Sequence, residues 1–352
     1  MSKIAILGDT HHGMRGDSIA FHALYSKFYK EIFVPYLVQN GITTVFQMGD
    51  LFDRRKYISF QSLALCRSYF FDELAKNNIE LHVLLGNHDI TFRNTLEVNS
   101  PELLLKDYNN IKVYNEPASW RGIDIIPWIC KDNEQDINEF IYESNNSICF
   151  GHFELAGFEM DRGNMCHEGM NPDTLRRYDI VLSGHFHHKS SKGNITYVGT
   201  PGEMTWADYN DERGFHIFDT DTRELEFIPN PHKMFYKIKY NDENASYNDI
   251  ADADYSEYTG KQVKIVIEKR TNSFVFDTLV DCLTKVNPMD VSVVEDFSDV
   301  ILAPDDIKID EAQDTISILN SYIDNLTLPV ESDKIKAILR DVYNEAIAIE
   351  NT

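Results

Sequence analysis

The sequence predicts an α/β fold in which one sheet layer is closed by a second, with a small α/β unit and terminal helices appended. Three observations carry this reading. Short β-branched runs alternate with longer helical patterns over the first two-thirds of the chain, as in an α/β domain. From residue 195 the pattern becomes a series of short strands, as a closing layer requires. Past Pro229 and Pro231 the alternation resumes on a smaller scale.

Taken in order, strands are expected at 3–8, 43–48, 81–85, 147–151 and 179–183, with helices at 18–39, 59–77, 99–107 and 134–144. Shorter strands follow at 195–199, 214–219 and 224–228. The small unit reads as strands 234–240 and 262–268, helix 273–286 and strand 290–295. Within it, 241–260 carries six acidic residues and no basic one, and is expected to be an exposed, mobile loop. A second acidic stretch, 295–314, has eight acidic residues and one lysine and reads as a linker. Helices at 310–326 and 332–348 close the chain, the last with Ile335, Leu339, Val342 and Ala346 on one stripe. The expected domains are therefore 1–231, 232–300 and 301–352.

Composition excludes several classes. Of 352 residues, 43% are hydrophobic and 12% aromatic, too many for a disordered chain. Lys and Arg total 33 against 57 Asp and Glu, a net charge of −24, which excludes a general polyanion binder. Any nucleic-acid contact must come from a local basic patch or a partner. No apolar run reaches the roughly 18 residues of a membrane span, and strand 3–8 leaves no room for a signal peptide. Five scattered cysteines without a Cys-x-x-Cys pair argue against a disulfide framework and a structural zinc site, and fit a reducing cytoplasm.

The chemistry lies at the strand ends. Asp9 and His11 follow strand 3–8, and Gly49-Asp50 follows 43–48. Gly86-Asn87-His88-Asp89 follows 81–85, Gly151-His152 ends 147–151, and Gly184-His185-Phe186-His187 follows 179–183. Carboxyl ends of strands in α/β sheets lie along one rim, where ligands bind. A lone Asp-x-His or Gly-His is more often a loop feature, and Gly-Asn-His-Asp alone could be a turn. Five such pieces, each behind a strand, are not explained by turn chemistry. The donors are two Asp, one Asn and four imidazoles without a thiol, a set that suits Mn, Fe or Zn. Seven donors are too many for one ion with an open position. They suit two ions about 3.5–4 Å apart sharing a carboxylate, able to polarise a phosphoryl group and activate a water.

On these motifs, together with Asp53 three residues past Asp50, the chain resembles the calcineurin-like metallophosphoesterase superfamily. Within it the chain looks like the SbcD-type double-strand-break repair nucleases, and most like their T-even bacteriophage branch. The resemblance spans nearly the whole length and includes the runs Asn40-Gly41-Ile42-Thr43-Thr44, Ile126-Pro127-Trp128 and Phe227-Ile228-Pro229-Asn230. It implies a two-layered β-sandwich metallophosphoesterase core flanked by helices, with a small α/β capping domain and C-terminal helices. It also implies two Mn²⁺ ions, with Mg²⁺ as a substitute. Asp9, His11, Asp50 and His187 would hold one ion, and Asp50, Asn87, His152 and His185 the other. His88 would be catalytic, protonating the leaving oxygen, with Asp53 as its partner as in related phosphatases. Asp89 would brace its own loop.

Two places depart from the family pattern. His12 stands where many relatives carry an apolar residue and is read as half-exposed, the alternative being a group that supports the ligands from behind. The stretch 199–206 lacks the basic residue often found a few positions later. Arg54, Arg55, Lys56, Arg93, Lys189 and Lys192 lie near the rim motifs and form the candidate DNA footprint. His22, His82, His167, His188, His216 and His232 are assigned to core or surface. The expected function is an exonuclease and endonuclease on DNA, acting in the cytoplasm. Its expected partners are an SbcC-type coiled-coil ATPase, gripped by the C-terminal helices, and a second copy of the chain. A phosphoprotein phosphatase or small phosphodiesterase, and a non-catalytic scaffold, are the alternatives.

Overall fold

The computed structural model describes residues 3–161, 163–243, 247–295 and position 336. The acidic linker and C-terminal helices expected within 301–352 lie outside the described residues, apart from that one position.

Two six-stranded sheets form the first layers. The first runs, in spatial order, Leu225–Pro229, Gly214–Asp219, Lys3–Leu7, Thr44–Gln47, Glu80–Leu84 and Ile111–Tyr114. Its four strands from Lys3–Leu7 onward are parallel, and the other two continue it antiparallel. The second runs Ser190–Lys192, Ile195–Tyr197, Ile180–Gly184, Ile148–His152, Ile123–Ile126 and Ala118–Trp120. Strand alternation decides the layering. Ile4 and Ile6 join Phe46, Ile125, Phe150 and Leu182 in the core between the sheets. Ala5 and Leu7 turn the other way, into an aromatic-rich core beneath the helices. This is the two-layered sandwich with flanking helices.

The helices expected at 18–39 and 59–77 each contain one wide turn. Ile19–Phe28 continues through a π-helical turn, Tyr29–Phe33, into Val34–Gln39. Phe60–Cys66 continues through Arg67–Phe71 into Asp72–Lys76. In the first, Pro35 has no N–H to give to an ordinary helical bond, and the Val34 N–H reaches back to Tyr29 O. The two wide turns face each other, with Tyr29 stacked on Tyr69 at 5.5 Å and packed on Phe70 at 4.5 Å.

The small unit is a parallel sheet of Phe235–Asn241, Gln262–Lys269 and Asp290–Glu295. Helix Ser273–Lys285 covers it through Val275, Phe276, Leu279 and Leu283. The segment 241–260 is not the structureless loop that its charge suggested. It contains helix Tyr247–Ala251 and a 3₁₀ turn, Ser256–Tyr258, and it buries Ile250 while packing Tyr255 and Tyr258 on the core. Asp242, one of its acids, accepts from the amides of Thr271 and Asn272. Acidity marked the solvent face and hid these anchors. Short strands Ile111–Tyr114, Ala118–Trp120 and Ile123–Ile126 are additions to the expected set. Among the described residues no helix is long and apolar enough to cross a membrane.

Candidate metal centre

The five motif loops meet where the rims of the two sheets face each other. Asp9, His11, Asp50, Asn87 and His88 come from the first sheet; His152, His185 and His187 come from the second. The turns are tight. His11, Asp50 and His185 have positive φ values of 42°, 53° and 89°, a conformation usually left to glycine. Gly49 has φ 99°, and a Cβ there would lie 2.2 Å from His152 Nδ1. A Cβ on Gly184 would lie 2.3 Å from Met48 O and 2.7 Å from Asp9 Oδ1.

Asp9, His11 and His187 offer donor atoms within 4.8 Å of one another, and so do Asp50, His152 and His185. His11 Nε2 and His187 Nε2 face each other at 3.2 Å. Asn87 Oδ1 lies 3.1 Å from His152 Nε2 and 3.0 Å from His185 Nδ1. Asp50 spans the two groups: Oδ2 is 3.7 Å from His11 Nε2, and Oδ1 is 3.6 Å from His152 Nε2. Buried carboxylates and imidazoles pointing at one another, with the Asp50 oxygens divided between them, fit a pair of divalent ions.

Electrostatics show how strained the set is with protein charges alone. Burial, with the charge of Asp50 adding, pushes the Asp9 carboxyl up to about 7. For Asp50, burial acts upward, but His152 and His11 outweigh it and hold the carboxyl well below its usual range. Burial acts downward on His152, yet Asp50 and Asp9 raise it to about 9. Burial and the charge of His152 push His185 down to about 3.

His88 stands against His11, ring edge to face at 4.8 Å. Its backbone N–H donates to Asp50 Oδ1 at 2.7 Å, and its Nδ1 lies 2.6 Å from the Asp53 carbonyl oxygen. The Asp53 carboxylate itself faces His11 Nδ1 at 3.4 Å, so Asp53 contacts His88 through its main chain. Asp89 accepts from the amides of Gly86, Leu51 and Phe52, pinning the second motif loop to the third.

His12 is the clearest correction. Instead of being half-exposed it is 2% exposed, because the aromatics of both wide turns close over it. Its Nδ1 is 2.9 Å from Tyr69 Oη, which also meets His22 Nδ1 at 3.1 Å. Burial pushes His12 down to about 3.

Arg213 carries no signal in the sequence, yet it is buried behind the fifth motif. Its guanidinium donates to the His187 carbonyl, to Thr200 Oγ1 at 2.7 Å and to Asp208 and Asp211 at 2.9 and 2.7 Å. It is thus a clamp on the loop of a candidate ligand. No local motif marks it, since it lies 26 residues from His187. Three of the six candidate footprint residues already have partners. Arg54 pairs with Asp17 at 3.3 Å, and Lys189 pairs with Glu212 at 3.4 Å and covers Phe227. Lys192 approaches Gly157 O at 3.4 Å. Arg55 is half-buried, while Lys56 and Arg93 are exposed.

A sandwich whose facing rims gather this donor set defines a phosphoesterase, and the chain belongs to the calcineurin-like phosphoesterase family, whose model matches residues 2–189. It is an enzyme of phosphoester hydrolysis. It is 35% identical over 359 residues, covering 99% of both chains, to Exonuclease subunit 1 of Enterobacteria phage T4. It is 22% identical to the SbcD component of the nuclease SbcCD of Staphylococcus epidermidis, over 83% of this chain and 86% of that one. The DNA double-strand break repair protein Mre11 of Methanocaldococcus jannaschii is 24% identical, over 86% and 85%.

Proposed function

We propose that the protein is a manganese-dependent DNA nuclease, with exonuclease and endonuclease activity, serving as the nuclease component of an SbcCD-like repair and recombination complex. The observation that carries this reading is the division of the Asp50 oxygens between two donor groups, with His88 beside them. One ion would sit among Asp9, His11, Asp50 and His187, and the other among Asp50, Asn87, His152 and His185. Two ions held there would polarise a phosphoryl oxygen and lower the pKa of a water.

The chain's own residues do the remaining work. A carbonyl only accepts, so His88 Nδ1 beside Asp53 O carries a hydrogen. In the imidazolium form, which carries a hydrogen on each ring nitrogen, His88 would keep Nδ1–H on Asp53 O and give the Nε2 proton to the departing sugar oxygen, ending as the neutral ring. The His88 amide steadies Asp50, and Asp89 holds the two loops in register.

The names of the relatives, an exonuclease, a component of the nuclease SbcCD and a double-strand break repair protein, support DNA as substrate and a complex as setting. On this reading 1–231 is the nuclease domain, 232–300 a capping domain toward DNA, and 301–352 the grip on an SbcC-type ATPase. Mg²⁺ would substitute for Mn²⁺, and the enzyme would work in the host cytoplasm. Phe60 and Leu103, 91% and 62% exposed, would join two copies, since Cys66, Tyr69, Phe70 and Leu74 are already committed to the core. Assaying the purified chain with Mn²⁺ on DNA and on p-nitrophenyl phosphate tests the reading. Cleavage of DNA is expected, and hydrolysis of the small ester alone would make the chain a phosphatase. Deleting 305–352 should preserve Mn²⁺-dependent cleavage of single strands and remove association with the ATPase. Full-strength co-purification would place the partner elsewhere.

A further inference from the structure

We propose that the cavity beside the second donor group is a nucleobase subsite, taking the base of a nucleotide near the scissile phosphate with its face against Trp128. This rests on the nuclease reading. The cavity holds about 440 Å³, within the roughly 300–1,000 Å³ of small-ligand sites. His152 forms part of its wall, so a base lodged there is joined to a phosphate at the candidate metal centre.

Trp128 is half-buried, with its ring 5.8 Å from that of His152 and 5.1 Å from that of His185. Its peptide is fixed on both sides: the N–H donates to Leu85 O at 2.7 Å, and the carbonyl accepts from Asn133 Nδ2 at 3.0 Å. The indole is therefore held in place before any ligand arrives, as a stacking platform needs to be. Phe153 and Met170 extend the apolar wall, while Asn138 and Thr174 bring polar groups from exposed positions.

Charge decides which part of a nucleotide enters. Glu134 and Glu154 line the cavity, and among the described residues no Lys or Arg lines it. Carboxylates repel a second phosphate and accept from the exocyclic amino groups of adenine, cytosine and guanine. The cavity is thus matched to a base and opposed to the backbone.

The test uses the full-length protein with Mn²⁺ and strands in which one abasic site is walked past the cleaved bond. At one position near that bond, loss of the base should lower kcat/KM roughly five- to a hundredfold, the factor for one stacked base. Thr174→Tyr, which fills the cavity, and Trp128→Leu should abolish that discrimination, whereas Trp128→Phe should keep most of it. With Ca²⁺ replacing Mn²⁺, 2-aminopurine at the same position should be quenched on binding to the wild type and not to Trp128→Leu. Equal cleavage of intact and abasic strands by the wild type would overturn the subsite alone. So would discrimination that survives in Thr174→Tyr, or an unquenched probe. A wild type that cuts no DNA would instead defeat the nuclease reading.

Discussion

The two sheets contribute unlike chemistry to the same site. The first sheet supplies both central carboxylates, Asp9 and Asp50, with His11, Asn87 and His88; the second supplies imidazoles only, His152, His185 and His187. Negative charge is concentrated on one layer and answered by rings from the other, which is why Asp50 and Asp9 raise His152 across the gap. Neither layer holds a complete set. Asp50 faces a ring from its own sheet with one oxygen and a ring from the opposite sheet with the other.

Asp50→Ala is accordingly the most damaging change expected. It should abolish hydrolysis and Mn²⁺ binding at both positions while leaving the fold intact, as read by atomic absorption and circular dichroism. Mn²⁺ content equal to that of the wild type would mean that the layers hold their ions separately. His88→Ala should retain both ions and DNA binding yet lose roughly 10²–10⁴ in rate. If that variant loses metal, His88 belongs with the donors of the first sheet.

Arg213→Lys tests the second sheet, because only the fork of the arginine reaches the His187 carbonyl, Thr200, Asp208 and Asp211 together. Mn²⁺ titration followed by electron paramagnetic resonance should show one position weakened roughly tenfold. Equal weakening of both positions would mark Arg213 as general support.

The smallest effect concerns first-sheet imidazoles away from the rim. Burial, with Lys112 and Arg121 adding, pushes His82 down to about 4, and burial with Lys189 does the same for His216. An unfolded chain takes up these protons near pH 6.5. The folded chain refuses them until about pH 4. Their contribution to stability is therefore whole above pH 6.5 and is lost as pH falls toward 4. The urea midpoint should drop over that window, and His82→Phe, which keeps a ring against Phe46, should make the drop shallower. An unchanged slope would remove His82 from the acid lability and leave it to His216 and other groups.

What the sequence made legible follows the motifs rather than the layer. The motif-bearing strands of both sheets are readable because each ends in a ligand within a few residues of a β-branched run, as in Ile4-Ala5-Ile6-Leu7 before Asp9. Ile111–Tyr114, Ala118–Trp120 and Ile123–Ile126 are three or four residues long and end in no ligand motif, so nothing marks them. The wide helical turns escape for a different reason: a π turn inserts one residue without altering composition, and its sign is the aromatic packing across helices. The burial of His12 is hidden because its neighbours in space, Tyr29, Phe70 and Phe71, are distant in sequence. Which atom of Asp53 meets His88 is a matter of rotamers, beyond any motif.

The meshing of the rims at Gly49 and Gly184, where not one methyl group fits, also sets an order of assembly. Groups 176 residues apart, such as His11 and His187, become neighbours only when the layers have docked. Contacts of such separation are slow to form, and either half-chain alone offers no more than a fragment of the cage. On the two-ion reading, ions could bind only after docking, and their free energy would be added to that step rather than to the formation of either sheet. On that reading, a chain synthesised without divalent ions would dock its layers unaided and lack only the stabilisation that the ions add.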